Sequence, residues 1–236
     1  MSKRTPFIVR TIRNHTPQEI NYASQKTISY SQFSIYNECP HKWELLYKNG
    51  LQEYQPTIHT VFGTAMHNSI QRYITMMYEE SGAAADRFDL EGLFEEEFGK
   101  TYREEYAKNK KVHFSDPVEM REFYDDGVAI INYFKKQRGA YFSKRGWYLI
   151  GCELPIVLNP NSQYPSILYK GYLDLVLYNE KIGEFYIFDI KTSTSGWNDY
   201  AKKDEIKQFQ LVLYKQFFAK QFNLDYSSYE KSTFVM

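Results

Sequence analysis

Two apolar runs around a short polar turn constrain the fold of this chain more than any other feature. Residues 171–177 and 185–193 are rich in β-branched and aromatic side chains, and they flank a turn at 179–183 that contains a glycine. Two such runs on either side of a short turn are typical of a β-hairpin. We therefore predict a pair of adjacent strands in this part of the chain.

Three charged residues lie within these two apolar runs. Asp174 interrupts the first run, and Asp189 and Lys191 come at the end of the second, where alternation puts both on one face with Ile190 opposite. If Asp174 pairs near Asp189, two carboxylates and an ammonium converge at one end of the sheet. This set suits a hard divalent cation that keeps some waters. A structural salt bridge of Lys191 with either aspartate explains the spacing equally well, so both interpretations stay open.

The overall composition limits the class of protein. The formal net charge of the 236 residues is zero, so there is no global basic signature of a nucleic-acid binder, and any such binding must come from a local patch. Two cysteines, Cys39 and Cys152, do not make a disulfide framework. The sequence has no apolar run of membrane-spanning length and no signal-peptide core. We expect a cytoplasmic protein that has no membrane partner.

In the N-terminal part of the chain, a segment with weak periodicity of apolar residues is followed by a segment with helical periodicity. Residues 1–28 are polar with little periodicity, and we interpret them as an extended or partly disordered lead-in. A helix–break–helix is predicted for residues 31–48, with Ser31 as the N-cap. Its break falls at Cys39-Pro40, where we expect a buried thiol beside a turn.

A further helical segment contains a histidine beside its apolar stripe. Apolar side chains recur at helical spacing from Met66 to Met77, and His67 lies one residue away from that stripe. A lone histidine is more often a surface or capped residue than a metal ligand. The small residues at 81–85 predict a flexible join before two longer helices.

An extended pattern begins at Trp147. Residues 148–158 predict a strand in which Glu153 is a third acid embedded in apolar sequence, and Pro155 indicates a sheet edge or a bulge. The residues after the hairpin, 192–197, are predicted to form a loop.

The last clear element is a helix predicted for residues 202–222. Its apolar stripe includes Gln210, and Tyr214 lies one turn further on. A glutamine on a buried face needs hydrogen-bond partners, so Gln210 either supports the fold or reaches a ligand. Residues 231–236 resemble the opening of another strand, which indicates that the native chain continues or that this is a minimal or truncated version.

Five short motifs follow one another along the chain: SYSQFSIYNECP at 29–40, GTAMH at 63–67, GYLD at 171–174, DIKT at 189–192 and QLVLY at 210–214. In this order they resemble the PD-(D/E)XK nuclease superfamily, and more specifically its RecB-like branch of phage exonucleases and CRISPR-associated adaptation nucleases. The resemblance implies an α+β fold with a restriction-endonuclease-like core, in which helices flank a mixed β-sheet after an N-terminal helical region. It implies one nuclease domain over residues 29–236, mainly helical at 29–145, with the sheet core at 146–236.

The resemblance also implies a metal site. Asp174 and Asp189 would ligate Mg²⁺ or Mn²⁺, with the main-chain carbonyl of Ile190 as a further oxygen ligand. His67 would bind the metal or orient one of its ligands. Glu153 would be an acid that supports the metal's ligands without binding the ion itself, or a ligand of a second metal.

The same resemblance implies roles for three other side chains. Lys191 would orient the attacking water and offset the charge of the transition state. Gln210 and Tyr214 would shape the site and hold the Lys191 region or the DNA backbone.

The sequence departs from the family pattern in three ways. Asp189 stands where many members have glutamate. The iron–sulfur subset of the branch uses four cysteines, the first near a Cys-Pro such as Cys39-Pro40, and on the residues present we predict no cluster. No helicase motif is present, so we expect a stand-alone nuclease or a subunit with a helicase or recombination partner.

The main hypothesis is therefore a Mg²⁺- or Mn²⁺-dependent deoxyribonuclease. We expect an exonuclease acting on single-stranded DNA or DNA ends in recombination, repair or phage DNA processing, in a phage or bacterial-type setting. Stacking on Trp197 and Tyr200 would favour single-stranded ends. Two alternatives are a non-catalytic nucleic-acid-binding module on the same fold, and an unrelated α+β protein in which Asp174 and Lys191 form a structural pair.

Overall fold

The computed structural model describes residues 5–51, 54–143, 145–192 and 205–224, without the side chains of 205–207. These residues form eight α-helices and four β-strands in an α+β fold. None of the described helices is long and apolar enough to cross a membrane. The chain divides into two compact units. In the described ranges, the sheet unit contains 5–51, 150–189 and 205–224, and the helical unit contains 54–143, 145–149 and 190–192.

The first elements of the sheet unit are short. They are α1 (Phe7–Arg13), β1 (Lys26–Ile28), α2 (Tyr30–Glu38), α3 (Pro40–Trp43) and a π-helical turn at Glu44–Lys48.

Three expectations for this region need correction. A disordered lead-in is wrong for residues 7–13, because Val9 and Ile12 of α1 are fully buried. The N-cap of α2 is Ser29, whose side chain accepts from the main-chain N–H of Gln32, so the prediction of Ser31 is two residues late. The helix break at Cys39 is confirmed, but its thiol is half-buried and accepts from the N–H of Lys42.

The helical unit is built around one long helix. This helix, α4 (Ile58–Glu79), begins after Thr57, whose hydroxyl accepts from the N–H of Thr60. It packs against α5 (Gly82–Arg87), α6 (Leu90–Lys108) and α7 (Pro117–Tyr141). The flexible join predicted at 81–85 is wrong, because Ser81 caps α5 and Ala85 is fully buried.

A mixed sheet of four strands lies mainly in the sheet unit. The strands after β1 are β2 (Trp147–Leu158), β3 (Ile167–Asn179) and β4 (Glu184–Phe188). β1 pairs in parallel with the start of β3, β4 pairs antiparallel with its end, and β2 is its other neighbour. The predicted hairpin is thus confirmed, and its turn contains Gly183 at a φ of 74°. The last pair of this antiparallel register is Leu175 with Phe188. The next pair in the same register would be Asp174 with Asp189.

The last helix, α8 (Glu205–Gln221), packs on the sheet through aromatic rings. The ring centroids of Tyr169 and Phe217 lie 4.3 Å apart. At the end of α8 the side-chain amide of Gln221 binds β2: its nitrogen donates to the carbonyl of Pro155, and its oxygen accepts from the N–H of Val157. These contacts fix the face of α8 that meets the strands.

Candidate metal and catalytic site

Two carboxylates approach each other in the sheet unit. One carboxylate oxygen of Glu153, on β2, lies within 4.8 Å of one of Asp174, on β3. Glu153 is exposed and Asp174 is half-buried. Two negative charges at this distance repel each other, and a hard divalent cation with oxygen ligands removes the repulsion. The donor set therefore fits Mg²⁺ or Mn²⁺.

The backbone of Glu153 has an unusual conformation for a strand residue. Its φ of 50° lies in the left-handed region, which costs a non-glycine residue about 1–2 kcal/mol. A residue in this conformation interrupts the alternation of side chains along a strand, as a β-bulge does. Strain of this kind occurs preferentially at functional sites. The sequence did not decide between two roles for Glu153, and in the structure its carboxylate lies close to that of Asp174.

A second group of site residues is joined by hydrogen bonds. Asp189 follows β4 and is only 2% exposed. The amide nitrogen of Gln210, on α8, donates to Oδ1 of Asp189 over 3.0 Å and to the hydroxyl oxygen of Tyr214 over 2.9 Å. Gln210 is itself buried, so the expectation that it needs partners is confirmed. Both N–H groups of one amide thus hold the orientation of Asp189 and Tyr214.

The hydroxyl of Tyr214 is affected by the charges of Glu153 and Asp174 and by that of Asp189. The pKa of its hydroxyl is raised to about 12, mainly by burial; the hydrogen bond from Gln210 opposes this rise, and the negative charges of Asp189, Asp174 and Glu153 support it. The hydroxyl therefore stays protonated at neutral pH. It accepts a hydrogen bond from Gln210 and keeps its own proton to donate.

The remaining predicted residues belong to the helical unit. Ile190 is buried there, and Lys191 and His67 are half-buried, the latter in α4. A Cβ atom added at Gly63, one turn before His67, would lie 3.8 Å from the hydroxyl oxygen of Thr192. The segment that carries Lys191 therefore lies against the helix that carries His67. The metal-binding roles of His67 and Ile190 stay predictions.

Some predictions fall outside the described residues. These are the stacking aromatics Trp197 and Tyr200, most of the loop at 192–197, the start of the last helix at 202–204 and the strand at 231–236.

The α+β fold, with acids beside its central strand, agrees with the class of metal-dependent nucleases. A family model described as the PD-(D/E)XK nuclease superfamily matches residues 27–232, and the chain belongs to this superfamily. The predicted superfamily and the restriction-endonuclease-like fold class are thus confirmed, whereas the RecB-like branch stays a prediction. Nucleases of this superfamily use divalent metal ions. No curated protein sequence matches the chain.

Proposed function

We propose that this protein is a Mg²⁺- or Mn²⁺-dependent deoxyribonuclease of the RecB-like branch, acting as an exonuclease on single-stranded DNA or DNA ends. The observation that carries the proposal is the approach of the Glu153 and Asp174 carboxylates beside the buried pair of Asp189 and Gln210. A structural salt bridge would not need two acids so close together. Membership of a nuclease superfamily supports the same reaction.

Acidic side chains from β2, from β3 and from the end of β4 would hold the metal. In this proposal Asp174, Glu153 and Asp189 supply carboxylate oxygens, the carbonyl of Ile190 supplies another oxygen, and His67 supplies a nitrogen or orients a ligand. A divalent cation in such a site lowers the pKa of the attacking water and stabilises the charge that develops on the phosphate.

The other side chains would position the reacting groups. Lys191 orients the attacking water and offsets charge in the transition state, because its ammonium is a compact donor with a full positive charge. Gln210 keeps Asp189 in one orientation, which limits the freedom of that ligand. Tyr214 stays protonated and supports the amide of Gln210.

A cleavage assay tests this proposal. End-labelled single-stranded and double-stranded DNA is incubated with Mn²⁺ and the parent protein, or with its Asp189→Ala or Lys191→Ala variant. Loss of a charge-stabilising or proton-transferring group lowers turnover by about 10²- to 10⁴-fold. We expect that loss in both variants, with DNA binding in EDTA retained. Lys136→Ala, at an exposed lysine of α7, is the matched control and should cleave like the parent.

Two outcomes contradict the proposal. Cleavage by both variants at the parent's rate would refute the assigned residues. DNA binding by a folded parent without cleavage in Mg²⁺ or Mn²⁺ would favour a non-catalytic binding module on the same fold. The products from end-labelled substrates also give the polarity of the reaction.

The cellular setting is proposed from the family resemblance. We place the activity in recombination, repair or phage DNA processing in the cytoplasm, with a helicase or recombination protein as partner and without an iron–sulfur cluster.

A further inference from the structure

A lysine and two exposed tyrosines lie beside Glu153 and Asp174, the acidic pair of the sheet unit. Because side chains alternate along a strand, Lys170, Tyr172 and Asp174 share one face of β3. The Lys170 Nζ atom lies 5.8 Å from the centroid of the Tyr172 ring and donates to the hydroxyl of Tyr22 over 3.4 Å. Tyr172 is 45% exposed and Tyr22 is 66% exposed.

The exposure of these rings argues against a role in the core. Each of these side chains keeps about half or more of its surface in water, so an aromatic surface is left that a ligand can cover. Lys170 is cationic at neutral pH as an ordinary lysine is, and the hydrogen bond to Tyr22 raises its pKa further. A cation beside exposed aromatic rings is the combination that binds single-stranded nucleic acid, since the rings stack on bases and the cation meets phosphate.

The spacing along β3 puts the two binding features within reach of one nucleotide. Tyr172 and Asp174 are two residues apart, which corresponds to about 7 Å along a strand. Inside a duplex both faces of a base are covered by its stacked neighbours, so only an unpaired or terminal base can rest on Tyr172.

We propose that Lys170, Tyr172 and Tyr22 form a binding platform for an unpaired strand, one nucleotide away from the phosphate at the acidic pair. One base stacks on Tyr172 or Tyr22, and Lys170 binds the adjacent phosphate. This inference rests on the proposed nuclease function, and it adds that the substrate enters the site as a single strand. We call these three residues the β3 platform.

Binding without cleavage tests the β3 platform. The probe is a fluorescein-labelled 12-nucleotide thymidine oligomer, measured by anisotropy in EDTA, with a labelled duplex in parallel. Stacking of one base on an aromatic residue makes a contribution that corresponds to a fivefold to 150-fold change in affinity. We expect Tyr172→Ala to weaken oligomer binding by about tenfold, Tyr172→Phe to bind like the parent, and duplex affinity to change less than about twofold. Tyr133→Ala, at a tyrosine of α7 that is 61% exposed, is the control.

A second variant tests the phosphate contact independently of stacking. Lys170→Gln removes one cation, so the slope of log affinity against log salt for the oligomer should decrease by about 0.7. Lys136→Gln provides the control for a surface charge, and circular dichroism verifies that each variant is folded.

The outcomes separate the platform from the nuclease activity. Equal oligomer affinities of Tyr172→Ala and Tyr133→Ala would overturn the platform, and so would an equal loss of oligomer and duplex binding. A parent that never cleaves, but whose oligomer binding depends on Tyr172, would refute the nuclease and retain the platform. A parent that binds no DNA would refute both.

Discussion

Replacing Glu153 by glutamine should stabilise the metal-free protein. Two unit charges at the 4.8 Å limit of the Glu153–Asp174 distance repel each other by about 1 kcal/mol in a water-like dielectric and about 3 kcal/mol at an effective dielectric constant of 20. Because Glu153 is exposed, solvent screening favours the lower value. Glu153→Gln removes this repulsion and keeps the shape of the side chain. We therefore expect its free energy of unfolding to rise by about 1 kcal/mol in EDTA.

Urea unfolding at pH 7.5 measures this difference. The titration is made in EDTA and again with MnCl₂, because a ligand that binds only the folded state raises the free energy of unfolding. The parent should gain more from Mn²⁺ than Glu153→Gln, so the advantage of the variant shrinks or reverses when the metal is added. Glu122→Gln, at an exposed glutamate of α7, should have the parent's free energy of unfolding both in EDTA and with MnCl₂.

The opposite pattern would refute the reasoning. If Glu153→Gln is less stable than the parent in EDTA, and Mn²⁺ leaves the parent unchanged, the two carboxylates do not form a cation site. Their approach would then be a feature of the fold, held by attractive contacts stronger than the repulsion.

Two further predictions concern the hydrogen bonds of Gln210. Gln210→Leu should lower the free energy of unfolding by about 2 kcal/mol, because the buried Asp189 loses a hydrogen-bond donor. Gln208→Leu, on the exposed face of α8, is the control in the same urea assay. A free energy of unfolding of Gln210→Leu equal to that of the parent would contradict the reasoning. Tyr214→Phe tests pH dependence: burial raises the folded-state pKa of Tyr214 from 10.0 to about 12, so the ionised form is favoured only in the unfolded chain. Between pH 10 and 12 the parent should therefore lose up to about 2 kcal/mol relative to Tyr214→Phe, and parallel pH profiles would contradict this.

Strong local patterns made part of the fold predictable. The hairpin follows from two apolar runs around a turn with Gly183, and the register then depends on which face is buried. The contact between Gln210 and Asp189 was only partly predictable. An amide in an apolar stripe signals a buried hydrogen bond, but its partner comes from another element of the sheet unit.

Other features depend on packing that a local pattern does not contain. The helix α1 has only two buried positions, Val9 and Ile12, and two positions are too few to give a clear helical pattern in the sequence. The left-handed backbone of Glu153 is set by its surroundings, because the residue itself disfavours that conformation. Ser29 and Ser31 both lie at plausible cap positions, and only the backbone geometry distinguishes them.

The bonds between Gln221 and β2 affect how the protein behaves among its own copies. In the described part of the sheet, β2 is a terminal strand, and such strands offer free main-chain groups to strands of other molecules. The amide of Gln221 occupies the carbonyl of Pro155 and the N–H of Val157, the same kinds of main-chain group that an incoming strand would pair with. Proline removes one further donor from this edge. One glutamine at the end of α8 thereby occupies part of the edge through which edge-to-edge aggregation would proceed.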